Sequence, residues 1–253
     1  MKNSINWKIF LILLSSSLIS VACVFPYIIS VQGELLSKIG VSIEFIFFAQ
    51  FIQCIVLFSI AIFFGLILVK KIGFRLPLLQ AIVEKGDHKK VLKDILSTSV
   101  ISGVTVAVIL YGLDILFTIL RVGITTHQSP APIWQTLLAS FYGGITEEIL
   151  MRLFLMTLFI WIGMKLFRQK KPSILGIFIS IFIVAIIFGL GHLPITASLT
   201  KITPLVIGRA IVLNGIGGIV FGWLYWKKGI ESAMIAHFTT DIFLITLLPL
   251  FIK

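Results

Sequence analysis

Ile133–Met164 reads IWQTLLASFYGGITEEILMRLFLMTLFIWIGM, an apolar run that nonetheless carries Glu147, Glu148 and Arg152. A bilayer core about 30 Å thick needs roughly 20 apolar residues per helix, so the run is long enough to cross one. An ionisable side chain near the bilayer centre costs at least about 2.5 kcal/mol on insertion scales. Each of these three charges therefore needs a partner or a function.

Working outward, six further stretches have the length of a membrane span: Trp7–Ser30, Ile43–Val69, Ile95–Leu120, Ile174–His192, Val206–Trp226 and Ile230–Ile252. Of the 253 residues, 58% are hydrophobic and only 12% charged, which excludes a soluble domain of ordinary composition. The expected fold is all-α, a polytopic transmembrane helix bundle of about seven spans forming one membrane domain over residues 1–253. The first run is too long for a secretory signal and lacks a small-residue cleavage site, so it is an ordinary first helix. Cys23 and Cys54 both fall inside spans. That pattern offers neither a disulfide framework nor a CxxC metal knuckle, and Cys23 reads as a packed thiol rather than a lipidation site.

The formal charge of +11 would suit nucleic acid, but its distribution points to a membrane instead. With a cytoplasmic N-terminus, fifteen of the 21 basic residues, from Lys2 and Lys8 through the 70–94 connection to Lys227 and Lys228, fall on the inner side. Lys38, Arg121, Lys201 and Lys253 fall outside. This bias predicts an N-in, C-out arrangement of seven helices; the expected location, as a multi-pass protein, is the plasma membrane of a bacterium. Tyr27, Trp134, Trp161, Trp223, Tyr225 and Trp226 lie near span ends, as an interfacial aromatic belt would. The connection at 70–94 mixes Leu76, Leu78, Leu79, Ile82 and Val83 with lysines, which suits a short helix on the cytoplasmic lipid surface that binds anionic lipid or docks a peptide. In the sixth span Asn214, Gly218 and Gly222 share one face, a surface for close helix packing.

On a helix Glu148 and Arg152 are i,i+4 neighbours able to pair, whereas Glu147 is rotated about 100° away and has no partner in its own helix. Of four histidines, His88 and His127 lie in polar connections. His192 ends the fifth span one turn after Phe188, and His237 stands one turn before Asp241 in the seventh. Glu147, His192, His237 and Asp241 thus come from three helices, and bundles build sites from side chains converging in this way. Such a set supports water activation beside a peptide carbonyl: a carboxylate takes the proton, one histidine assists, and another donates to the developing oxyanion. The same four groups could instead hold zinc or another divalent metal carrying the water.

The series Glu147-Glu148-x-x-x-Arg152, Phe188-x-x-x-His192 and His237-x-x-x-Asp241 resembles the CAAX-protease and bacteriocin-processing family of intramembrane endopeptidases. The resemblance covers the C-terminal half, with 133–253 as the catalytic core. It implies that Glu147 and His192 activate water, that His237 with residue 241 supports the oxyanion, and that Glu148 and Arg152 shape the site. Phe188 and Asn214 would be supporting residues. It further implies a membrane-associated peptide or protein substrate, in peptide maturation or self-immunity against bacteriocins. Where eukaryotic-type members carry asparagine, this chain has Asp241, which is protonated, binds a metal, or orients His237, the last being the preferred reading. Ideal straight helices would leave His192 near the outer edge, Glu147 mid-span and His237 nearer the cytoplasm, so the spans must tilt for the groups to meet. Two other classes fit the same charges: a non-catalytic immunity or scaffold protein, and a proton-coupled transporter with Glu147 in its relay.

Overall fold

The computed structural model describes residues 5–38, 40–122 and 131–251; Lys2, His127, Ile252 and Lys253 lie outside them. Among the described residues all regular structure is helical. Helix α1 (Trp7–Ser37) begins where the Asn6 side chain accepts the amides of Lys8 and Ile9, and α2 (Ile43–Ile72) begins at Ser42 in the same way. These caps satisfy amides that have no partner within the helix. A short α3 (Pro77–Val83) precedes α4 (His88–Ile119). The fourth span is composite: α5 (Ile133–Phe141), two π-helical stretches (Tyr142–Glu147 and Ile149–Met156) and α6 (Thr157–Leu166). Then come α7 (Ile174–Gly191), α8 (Leu193–Leu199) and α9 (Pro204–Lys228). The chain closes with α10 (Ile230–Asp241), a π-helical stretch (Ile242–Leu247) and α11 (Leu248–Phe251).

Seven of the resulting helical rods are long and apolar enough to cross a membrane. The protein is a multi-pass membrane protein, and the exposed Leu11, Ile19, Phe45, Ile101 and Phe182 on the outside of the bundle are its lipid-facing surface. Several rods exceed their expected limits, the fifth by running on from His192 to Leu199. The first continues past Pro26 to Ser37, and the third starts at His88 rather than Ile95.

The 70–94 connection consequently shrinks, and its short helix does not simply lie on lipid. Leu76 is buried, Leu79 and Val83 pack on the core, and the Leu79 amide donates to Glu231 Oε1 at 2.8 Å. The segment covers the start of α10, where Gly229, Ile230, Glu231 and Ser232 are all buried. Gly229 alone joins α9 to α10. Its φ of +100° and the Pro77 ring against it leave no room for a side chain. Tyr225 also departs from the belt expected of it. It is fully buried, with its hydroxyl 2.8 Å from that of Thr157.

Lipid tails give helices no hydrophobic reason to associate, so small and polar residues mark the contacts. Gly218 and Gly222 lie against Ala185 and Ile181 of α7, as their shared face predicts. Buried Ser20 of α1 hydrogen-bonds Thr146, Ser99 of α4 meets Ser232 of α10 at 2.7 Å, and Thr240 donates to the Gly103 carbonyl. At Gly103 an added Cβ would press on the Ala236 carbonyl and stand 2.7 Å from Thr239 Cβ. Gly103→Ala should therefore destabilise the bundle by about 1–3 kcal/mol. Gly112→Ala, at an open position on the same helix, should leave it unchanged or slightly stabilised; thermal unfolding in detergent compares the two.

Candidate active site

A π-helix closes its hydrogen bonds over five residues rather than four and is rare outside functional sites. The Tyr142–Met156 region is largely wound this way, with the Thr157 hydroxyl accepted by the Arg152 carbonyl at 3.0 Å. Gly143 and Gly144 open it. A Cβ on Gly143 would meet the Asp241 carboxylate and His237 Nε2, and one on Gly144 would stand 2.8 Å from Phe238 Cβ. The glycine pair thus lets the fourth span approach α10 at the level of the polar residues.

Glu148 points inward and is 0% exposed. Its Oε1 lies 2.9 Å from Arg152 Nη1 and 2.7 Å from His237 Nδ1. A carboxylate paired with a guanidinium only accepts hydrogen bonds, so the His237 proton on that side sits on Nδ1. Arg152, 1% exposed, donates from Nη2 to the Gly218 carbonyl at 3.3 Å. Its guanidinium is flanked by the rings of Phe188 and Phe221, 5.0 and 5.5 Å from their centroids, contacts that stabilise a cation with few water neighbours. Phe221 also stacks on His237 at 4.6 Å, and Phe188 meets the His237 and His192 rings edge-on.

Glu147 faces away from this pair, as its rotation predicts, and is partly exposed to a cavity of about 650 Å³, a volume usual for ligand sites. His192, Asn214, His237, Asp241 and Phe188 line the same cavity. His237 Nε2 stands 3.7 Å from both Glu147 Oε2 and Asp241 Oδ1. His192 Nδ1 is 2.8 Å from the Phe188 carbonyl. A carbonyl only accepts, so Nδ1 carries that proton. Asn214 donates to the Ala210 carbonyl at 2.9 Å.

Glu147, His192, His237 and Asp241 all line one cavity, but one expected relation is absent. His237 is oriented by Glu148 and Phe221 rather than by Asp241, because the shorter contact is on Nδ1 and the Asp241 oxygen lies beyond hydrogen-bond reach of Nε2. Among the described residues no group of three histidine, cysteine, aspartate or glutamate side chains is disposed to hold a metal ion.

The helical rods also differ from the ideal spans that set His192 and His237 apart. His192 is not at the edge of its span, since the helical rod continues through Pro194 to Leu199. The start of α10 is buried against the 74–83 segment, so His237 stands inside the packed bundle rather than at its end.

Three contributors escaped sequence reasoning. Asp114 of α4 pairs with Arg209 of α9 at the cavity wall; two opposite charges inside separate spans were the available signal. The Gly143-Gly144 pair one turn before Glu147 was a second. Phe221 carries no pattern that separates it from ordinary core. Tyr27, expected in the aromatic belt, and Cys54 also line the cavity.

Residues 129–243 match the family model described as type II CAAX prenyl endopeptidase, Rce1-like. No match is found among curated proteins or solved structures. The geometry itself yields one stability prediction. Arg152→Met removes the partner of a buried carboxylate and should cost about 3–5 kcal/mol, read as a lowered unfolding midpoint in detergent.

Proposed function

Starting from residues 129–243 as a domain of that endopeptidase family, we propose that the protein is a glutamate-dependent intramembrane endopeptidase. Its substrate is a membrane-associated peptide or protein. The observation that carries this reading is the single cavity shared by Glu147, His192, His237 and Asp241, with His237 clamped between Glu148 and Phe221.

In the reaction, the substrate carbonyl binds in the cavity beside Glu147 and His237. Glu147 removes a proton from water, and the hydroxide oxygen bonds to the carbonyl carbon. His192, with Nδ1 committed to the Phe188 carbonyl, holds the water through Nε2. His237 in its doubly protonated form donates from Nε2 to the oxyanion while Glu148 accepts from Nδ1, a fixed donor aimed where charge develops. The C–N bond then breaks and the proton taken by Glu147 passes to the leaving amine, so that one water is consumed and an acid and an amine are formed. Asp241 flanks Nε2 and supports the charged ring. Arg152 neutralises Glu148 and thereby leaves Glu147 as the carboxylate open to the cavity.

General-base catalysis contributes about 10²–10⁴-fold. Glu147→Gln should therefore leave the protein inserted and folded while cleavage of a peptide substrate in reconstituted membranes falls by at least that factor. Undiminished cleavage would refute the assignment. If instead cells keep the protein's biological effect with this variant, a non-catalytic immunity or scaffold role replaces it.

A further inference from the structure

The cavity does not sit symmetrically in the bundle. On every element that borders it, the bordering residues run from mid-helix to one end only. They reach Leu36 in the last turn of α1, Ile46 in the first turn of α2, Asp114 toward the close of α4, Ile195 of α8, Arg209 near the start of α9 and Pro249 of α11. That end holds the α1–α2, α4–α5 and α8–α9 connections. The opposite end holds the turns around 70–94, 165–173 and 227–229, where no residue lines the cavity. It also holds the N-terminal start of α1, and with it fourteen of the described lysines and arginines, against three, Lys38, Arg121 and Lys201, at the cavity's end.

Short connections rich in lysine and arginine stay on the cytoplasmic side. The 74–83 segment also closes over the cytoplasmic end, where it buries Leu76 and the start of α10 and is fastened by Glu231 to the Leu79 amide. From the opposite end the cavity runs past the Asp114–Arg209 pair to Glu147 and His237. We infer that the cavity opens to the non-cytoplasmic side of the membrane. On the endopeptidase reading above, its substrate is then a peptide segment already carried across or anchored in the outer leaflet, rather than a cytosolic C-terminal tail. The apolar side chains of Phe25, Ile28 and Leu244 in the cavity wall suit hydrophobic side chains of such a segment, beside polar groups that include Gln32 and the Asp114–Arg209 pair.

Single-cysteine variants in a Cys23→Ala, Cys54→Ala background test the orientation without requiring activity. Gln32 lines the cavity, Ser198 is exposed at the same end, and Lys89 is exposed at the basic end. In intact bacterial cells, a membrane-impermeant maleimide should label Ser198→Cys and Gln32→Cys, and should label Lys89→Cys only after the cells are opened. The reverse pattern overturns the inference, as does Ser198→Cys labelling with Gln32→Cys protected from outside. Substrate side is read from peptides in the medium and in the cytosol of cells carrying the wild-type protein or Glu147→Gln. A fragment lost with the variant from the medium supports the inference, and one lost only from the cytosol refutes it. If the labelling is as expected but no fragment differs in either compartment, the orientation stands and the peptidase reading fails.

Discussion

A carboxylate with no access to water must find positive partners inside the protein, and Glu148 finds two, Arg152 on its own helix and His237 on α10. That shared Oε1 is the constraint around which the late helices are arranged. It ties the fourth span to the seventh, and through the Arg152 bond to the Gly218 carbonyl it also ties in the sixth. Phe188 of the fifth span closes the group by covering both Arg152 and His237. A charge in this position is tolerable only while all its partners hold, so the cluster specifies one mutual placement of four helices.

The catalytic proposal follows from the same arrangement. Because Arg152 and His237 are engaged by Glu148, the adjacent Glu147 is the glutamate left facing the cavity. Because His237 is held through Nδ1, its other nitrogen has a defined direction. The π-helical winding and the Gly143-Gly144 pair bring the backbone of the fourth span close enough for both relations to form. Positioning, rather than an unusual functional group, separates this site from an ordinary set of buried polar residues.

In the sequence the first three spans offered hydropathy and one buried charge, Asp114, yet they supply much of the cavity wall and a buried hydrogen bond, Ser20 to Thr146, behind the glutamates. Their contribution was illegible because packing faces of small and polar residues, such as Ser17, Ser20 and Gly103, are spaced like many other helical residues. The late motifs were legible for the opposite reason. An ionisable group inside an apolar span is costly enough that its presence alone signals a partner or a role.

What the sequence by itself determined was the solvent, the seven helical rods, the basic bias of their connections and the identity of the polar residues that meet. These depend on composition and short-range spacing, which a linear chain displays directly. Only the tertiary structure decided the choice of Glu148 over Asp241 as the hydrogen-bond partner of His237, and the end of the bundle toward which the cavity extends. Those outcomes depend on the rod continuing past His192, on α10 starting beneath the 74–83 segment and on contacts between residues as far apart as Asp114 and Arg209. No local periodicity encodes such relations, because each is settled by which helix happens to pack against which.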